Sequence, residues 1–322
     1  MDLGKIPALS RRRLLIGLAA TALSFVQQGR GLLAVAGTAA QQAPGGVTAL
    51  AFDQSRLVVA AQGIWTSSDG GATFTRTGAG PGAPIAALAI HPDQVGVISA
   101  ATRSGGLMRS RDAGLSWQPA GPGLPTVPID AVALAAHDPR IIYVALRGDG
   151  IWHSADAAET WEFAMDRPLV DGVEGDIQVL ASVGTLSGMG GYWVFAGTAK
   201  GVSKVPDCFC RWSPLESAGL TATLAKDAAP VVIDPALRLP HLSVSSLALA
   251  PSTPEVLFAG LPSGIWKSAD SGATWRLMSP GIAAPLLAVD PLDPNHVIAA
   301  AANGAILSSR DGGITWAAPA AV

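Results

Sequence analysis

The sequence of 322 residues predicts an all-β fold, and three observations lead to this prediction. A segment of the form Ser-x-Asp-x-Gly-x-Thr-Trp recurs five times. Its first three aspartates, Asp69, Asp112 and Asp156, are 43 and 44 residues apart. Short apolar runs separated by Gly-containing turns fill the intervals, without a convincing helical period. A period of this length with several strands is typical of four-stranded blades, so we expect a single β-propeller of six four-stranded blades, with seven left open.

The repeated segment has the chemistry of a β-hairpin turn. Its aspartate can accept hydrogen bonds from backbone N–H groups two and three residues on, and its glycine suits a tight reversal. The third copy departs from the pattern, with Ala158 in place of Gly and Glu159 reading as an insertion. We predict a structural role for all five aspartates, because a catalyst needs one site whereas a fold needs one turn per repeat. They are Asp69, Asp112, Asp156, Asp270 and Asp311.

These segments resemble the Asp-box, or BNR, repeat of sialidase-like β-propellers. The stretch Asn303–Gly313 also resembles the repeats of photosystem II assembly-factor propellers. The resemblance covers most of residues 47–318 and implies that the boxes lie at a rim, away from the functional face. The assembly factors are non-catalytic, exported and protein-binding, and the resemblance implies the same class of function as an expectation.

The first 40 residues are predicted to be an export signal peptide, and residues 41–322 the propeller. Ser10 to Arg13 precede an apolar run from Leu14 to Val26, which is too short to span a bilayer. The arginines after Ser10 resemble a twin-arginine signal, with an ordinary secretory signal as the alternative. The expected location is therefore periplasmic or extracellular.

Six units can be laid along the rest of the chain. The fourth is degenerate and keeps only the tryptophan of its box, and an insertion at about 213–239 follows it, where a seventh blade remains possible. Cys208 and Cys210 lie in the degenerate box, where a disulfide, free thiols or a soft-metal site are alternatives. The units are 47–80, 84–120, 128–165, 175–213, 241–278 and 285–318.

Charge and hydropathy narrow the possible partners. The net charge is −3 for the whole chain and −7 without residues 1–40, which hold five basic residues and one acidic residue. An acidic body argues against nucleic acid and anionic membrane surfaces. Its apolar runs are shorter than the ~18 residues of a membrane span. We expect a monomer that has no cofactor and no metal site, and that binds a protein or an anionic or carbohydrate ligand.

The expected binding face lies opposite the boxes, at the turns between second and third strands. Arg103, Arg147 and Lys200 come from three consecutive units there, so they form a positive mouth on an acidic body if they converge. Asp149 and Asn303 occupy equivalent turns. The insertion is expected to form one wall of this mouth. The alternative for each side chain is an ordinary solvated turn residue.

An enzyme of the glycoside hydrolase class is the competing hypothesis. A sialidase needs a Tyr–Glu nucleophile pair, and the only tyrosines, Tyr143 and Tyr192, lie in strands without a nearby Glu. A two-carboxylate mechanism leaves Asp149 with Asp171 or Glu174 as the grouping to test. No catalytic residue is therefore assigned.

A Gly-Ile-Trp triple recurs on three third strands, beginning at Gly63, Gly150 and Gly264. Ile and Trp must point to opposite faces of a strand. This pattern favours packing between neighbouring blades, with sugar-stacking platforms as the functional alternative.

The export hypothesis has a direct test. Replacing Arg11 and Arg12 by Lys should trap the precursor in the cytoplasm, because a twin-arginine pathway reads the arginine pair. The measurement is the distribution of precursor and mature protein between cell fractions. Normal export of the variant would assign the signal to the general secretory route.

Overall fold

The computed structural model describes residues 44–170, 172–187, 191–215, 234–301 and 303–320. The predicted signal peptide and most of the predicted insertion therefore lie outside the described residues. Strands dominate the described part, whose single helix is the 3-10 turn Pro235–Leu237. The described residues contain no helix that is long and apolar enough to cross a bilayer.

The first three blades are antiparallel sheets whose four strands pair in chain order. The strands of blade 1 are β1 Ala49–Asp53, β2 Arg56–Ala60, β3 Ile64–Ser67 and β4 Thr75–Gly78. Those of blade 2 are β5 Ile85–Ile90, β6 Ile98–Thr102, β7 Leu107–Ser110 and β8 Gln118–Pro119. Those of blade 3 are β9 Ile129–Ala135, β10 Asp138–Leu146, β11 Gly150–Ser154 and β12 Glu162–Met165.

The remaining blades follow the same order, after a two-stranded hairpin of β13 Leu169–Val170 and β14 Val173–Glu174. Blade 4 contains β15 Ile177–Leu186, β16 Tyr192–Thr198, β17 Gly201–Pro206 and β18 Ser213–Pro214. Blade 5 contains β19 Ser246–Leu249, β20 Leu257–Leu261, β21 Gly264–Ser268 and β22 Arg276–Pro280. Blade 6 contains β23 Leu286–Val289, β24 Val297–Ala300 and β25 Ile306–Ser309, and a bridge between Ser308 and Ala317 marks its fourth strand.

The six blades form a closed ring. The innermost strands β1, β5, β9, β15, β19 and β23 contact one another in that order, and β23 returns to β1. Six clusters of buried apolar residues lie between neighbouring blades, one at each junction. The junction of blades 6 and 1 packs Phe52 and Val59 against Ile298. The predicted single propeller of six blades is thus confirmed.

Each strand direction assigns the turns to one of two faces. Because neighbouring strands are antiparallel, the turn between second and third strands lies beside the start of the innermost strand. We call this side, with the connections between blades, the connection face. The boxes follow the third strands and lie on the opposite side, which we call the box face.

The box of blade 1 shows why the repeated residue types are needed. Ser67 Oγ donates to Asp69 Oδ1 at 2.7 Å and accepts from the backbone N–H of Gly71 at 2.8 Å. Asp69 Oδ1 accepts from the backbone N–H of Thr73 at 2.9 Å, and Asp69 Oδ2 accepts from the Thr73 hydroxyl at 2.5 Å. The main backbone donor is therefore four residues after the aspartate, which corrects the expected position. An N–H three residues on donates in two copies, from Glu159 and Ile314.

The third box keeps this geometry despite its altered sequence. Ser154, Asp156 and Thr160 repeat the same hydrogen bonds, so Glu159 is not an insertion. Ala157 and Ala158 adopt φ of 61° and 71°. This left-handed conformation costs roughly 1–2 kcal/mol for a residue with a Cβ, which the glycines of the first and last boxes avoid.

The boxes also set the protonation behaviour of their aspartates. Each carboxylate accepts hydrogen bonds from a hydroxyl group and from backbone N–H groups of its own box. These bonds, led by the hydroxyls of Ser116, Thr160 and Thr315, lower the pKa of Asp112, Asp156 and Asp311 to about 2. Burial opposes this effect at Asp69 and Asp270, but the hydrogen bonds outweigh it, so the pKa of each is also lowered. The carboxylates are thus held ionised in their structural role.

Two adjacent serines of the first box provide a matched test. Ser67→Ala leaves the buried N–H of Gly71 without its acceptor, which costs roughly 1–3 kcal/mol and should lower the Tm by several degrees. Ser68 is exposed, so Ser68→Ala should leave the Tm nearly unchanged. Thermal melts of both variants make the measurement, and equal melting temperatures would contradict the turn assignment.

Acid should destabilise the propeller through its boxes. Because the folded-state pKa values are lowered, their stabilisation is complete above the unfolded pKa of about 4 and is lost as pH falls toward 2. Urea unfolding midpoints between pH 5 and 2, values chosen to bracket this window, should fall with decreasing pH. Asp311→Asn should reduce this dependence of the midpoint on pH. Asp166→Asn is the control and should preserve the dependence, because the Asp166 carboxylate forms no hydrogen bond with any described residue. A slope unchanged by Asp311→Asn would contradict this account.

Candidate functional site

The propeller axis carries two cavities separated by an apolar ring. One, of about 190 Å³, lies toward the box face, and one, of about 120 Å³, lies toward the connection face. Both are lined by one aliphatic side chain from each innermost strand, namely Leu50, Leu88, Val132, Leu180, Leu247 and Leu287. A polar ligand finds no hydrogen-bonding side chain at this ring, so recognition is expected at the mouths.

The mouth on the connection face has a polar lining that includes Asp130 and Gln178. Arg147 forms a bidentate pair with Asp130, in which Nε donates to Oδ2 at 3.0 Å and Nη2 donates to Oδ1 at 2.5 Å. The bond to Asp130, its charge and that of Asp176 raise the pKa of Arg147. Arg147 therefore lies at the predicted face, but its charge is balanced by a carboxylate of its own blade.

A second arginine extends this pairing onto the hairpin of β13 and β14. Arg167 Nη1 donates to Asp176 Oδ1 at 2.9 Å, and its Nη2 contacts Glu174. Asp176 also accepts from the backbone N–H of Gly148 at 3.1 Å. Two basic and three acidic side chains thus alternate from blade 3 into the connection that leads to blade 4. Sequence reasoning considered Glu174 only as a catalytic carboxylate and missed its pairing with Arg167, which depends on a hairpin that it did not predict.

The other predicted residues divide into two kinds. Asp149 Oδ2 accepts from the indole N–H of Trp152 at 2.8 Å, and Asn303 Oδ1 accepts from the backbone N–H of Ala305 at 3.0 Å. Both therefore stabilise their own turns. Arg103 and Lys200 are exposed, and neither side chain pairs with another among the described residues. Their convergence with Arg147 on one ligand stays a prediction.

The Gly-Ile-Trp triples pack between blades. Ile64 contributes to the core between blades 1 and 2, whereas Trp65 packs into the core between blades 6 and 1. The triples of blades 3 and 5 divide in the same way. Each indole N–H is bonded to the preceding turn, as Trp65 Nε1 is to Ala61 O at 3.0 Å. Half-buried rings with bonded N–H groups favour the packing interpretation over sugar platforms.

The residues considered for catalysis have structural partners. Tyr143 is buried against Phe209, and burial raises its pKa, which removes it as an accessible nucleophile. Tyr192 stacks on His137 with ring centroids 4.2 Å apart. Glu174 is paired with Arg167, and Asp171 lies outside the described residues. In the part of the chain that the structure describes, no three His, Cys, Asp or Glu side chains group as a metal site.

The degenerate turn of blade 4 is closed by a disulfide between Cys208 and Cys210, whose Cα atoms are 5.5 Å apart. Phe209 between them has φ of 50°, the conformation that the fourth position of a box also adopts. Trp212 Nε1 donates to the carbonyl of Asp166 at 2.8 Å. The retained tryptophan thus bonds the neighbouring connection rather than its own turn.

The described end of the insertion lies beside the box of blade 5. The carbonyl of Leu237 accepts from the backbone N–H of Trp275 at 2.7 Å. Leu239 is buried in a cluster with Leu215 and Trp275. This end contributes to the box face. Residues 216–233 of the insertion are outside the described residues, so the wall that the insertion at about 213–239 was expected to form stays a prediction.

Comparison with solved structures supports the propeller fold. A GH74 enzyme from Niastella koreensis matches with a TM-score of 0.50 and 18% identity, over 84% of this chain and 46% of the other. YCF48 bound to D1 peptide matches with a TM-score of 0.50 and 17% identity, over 86% and 84%. A chain of the COPII outer coat vertex on membranes matches with a TM-score of 0.56 and 9% identity, over 82% and 70%.

These identities show the fold alone. The chain spans less than half of the length of the GH74 structure that it matches. No protein-family model matches the sequence. A search of curated proteins finds no match either.

Proposed function

We propose that this chain is an exported, non-catalytic propeller that binds a protein segment on its connection face. The observation that carries the proposal is the pair of exposed cations Arg103 and Lys200, which have no partner side chain among the described residues of an otherwise acidic body. Exposed guanidinium and ammonium groups on such a body favour carboxylates of a partner. The preferred ligand is an acidic segment of a protein.

The hairpin of β13 and β14 adds an apolar contact to the same face. Leu169 and Val173 are 65% and 54% exposed. The bonds of Arg167 to Glu174 and Asp176 anchor the base of this hairpin. A partner that covers these side chains gains apolar burial beside the charged contacts, which is the usual anatomy of a protein interface.

Two further features support the proposal. The five equal box turns support membership of the Asp-box propellers, as the sequence resemblance implies. The YCF48 structure matches this chain along most of the length of both proteins, and it contains a bound peptide. The role of this chain in assembly is inferred by analogy with that protein.

A carbohydrate-active enzyme is the second candidate, and the likeness to the GH74 fold favours it. Glycoside hydrolysis requires two carboxyl groups that flank the scissile bond. On the connection face, Asp130, Glu174 and Asp176 all accept hydrogen bonds from arginines. These three carboxylates are occupied by contacts within the fold, so the binding role is preferred.

Affinity capture from the native exported fraction tests the proposal. Arg103→Ala/Lys200→Ala should lose a partner that the wild-type chain retains, because its two exposed cations are gone. Arg211→Ala/Arg276→Ala removes the same charge from exposed positions off the connection face, and should retain the partner. Equal capture by both double variants would contradict binding at this face. Cleavage of any sugar on a glycan array would favour the enzyme instead.

A further inference from the structure

A second cationic site lies far from the connection face, at the junction of blades 2 and 3. Arg109 lies in β7 directly before the box serine Ser110, and its side chain is largely buried, with 8% of the residue exposed. Its Nη1 contacts the carbonyl of Ala157 in the box of blade 3. Its Nε is buried and has no hydrogen-bond partner among the described residues. No described carboxylate forms an ion pair with it.

The charged neighbour of Arg109 has the same sign. Burial and the charge of Arg111 both lower the pKa of Arg109. A buried cation is normally paired with an anion, since desolvation is otherwise uncompensated. The buried guanidinium of Arg109 therefore lacks a paired anion among the described residues, and the exposed Arg111 adds a second positive charge beside it.

A cavity of about 280 Å³ lies in front of these arginines. Arg111 and Gln118 line it from blade 2, and Ala157 and Glu159 line it from blade 3. Gln118 is paired directly with Arg109 across β7 and β8, so both side chains project from one face of the sheet. Its exposed amide adds a neutral donor.

Two groups of the lining limit what can bind. The hydroxyl of Ser116 already donates to Asp112 Oδ2 at 2.5 Å, so it is not available as a donor. Glu159 is exposed and has no cationic partner among the described residues. Its carboxylate repels an anion in the cavity.

Blade 5 shows what the equivalent position requires for folding alone. Lys267 precedes the box serine Ser268, as Arg109 precedes Ser110. Its Nζ contacts the carbonyl of Gly312 in the next box at 3.3 Å and lies 5.2 Å from the centroid of the Phe258 ring. One ammonium group thus satisfies the contact between blades. The guanidinium of Arg109 therefore has more N–H donors than this contact between blades uses.

We propose that the cavity between blades 2 and 3 binds a small oxyanion, either a carboxylate or a phosphate group, through Arg109, Arg111 and Gln118. Guanidinium forks match the geometry of both groups. The site is distinct from the proposed protein-binding face, because it lies on the box face.

Inorganic phosphate and acetate, each against sodium chloride at equal ionic strength, test the proposal. Calorimetry measures the Kd, and the Tm reports ligand stabilisation of the folded chain. Wild-type protein should bind at least one oxyanion and gain Tm over the chloride control. Stronger binding of phosphate or of acetate identifies which oxyanion the site prefers.

Four variants separate this site from general charge effects. Arg111→Ala should weaken binding about tenfold, whereas Arg310→Ala, at the same position of the last box, should match the wild type. Glu159→Gln should tighten binding severalfold, because it removes the opposing charge. Arg109→Lys keeps a contact of the kind that Lys267 makes and should fold but lose binding. No preference over chloride, or equal losses in Arg111→Ala and Arg310→Ala, would overturn the proposal.

Discussion

Apolar packing between neighbouring blades is the interaction on which this structure depends. Hydrogen bonds join strands within each blade, whereas the blades adhere through six apolar cores. A third strand can therefore contribute to two cores at once, as β11 does with Ile151 on one side and Trp152 on the other. The ring closes at blades 6 and 1 by the same kind of contact. Closure thus depends on side-chain packing, which makes each blade dependent on both of its neighbours.

The fold was predictable because its signal is local and repeated. Asp69 and its equivalents bond residues at most four positions away, so the sequence contains the whole turn. The candidate site was less predictable, because its pairings cross the fold. Arg147 meets Asp130 across neighbouring strands, and nothing near either residue in the sequence marks the partner. Arg109 reads as an ordinary polar residue before a box, since its burial is created by blade 3.

The two faces handle charge in different ways. On the connection face, Arg147 and Arg167 are matched by carboxylates, whereas Arg103 and Lys200 are exposed cations whose side chains pair with no other in the described part of the chain. Near the box face, basic side chains before the box serines contact backbone carbonyls of the next blade, as Arg109 and Lys267 do. These contacts orient neighbouring boxes without neutralising the cations. Positive charge without a paired carboxylate among the described residues is therefore present on both faces. It is exposed at Arg103 and Lys200 on the connection face and largely buried at Arg109 near the box face.

The disulfide of blade 4 gives one turn of the ring a different chemical dependence. Five turns are held by an aspartate, a serine and a threonine or second serine, and protonation of the aspartate weakens them. The turn between β17 and β18 has a covalent bond between Cys208 and Cys210 instead, which acid leaves intact and a thiol reductant can break. Because blade 4 packs against blades 3 and 5, this single bond couples the redox state of the surroundings to the integrity of the whole ring.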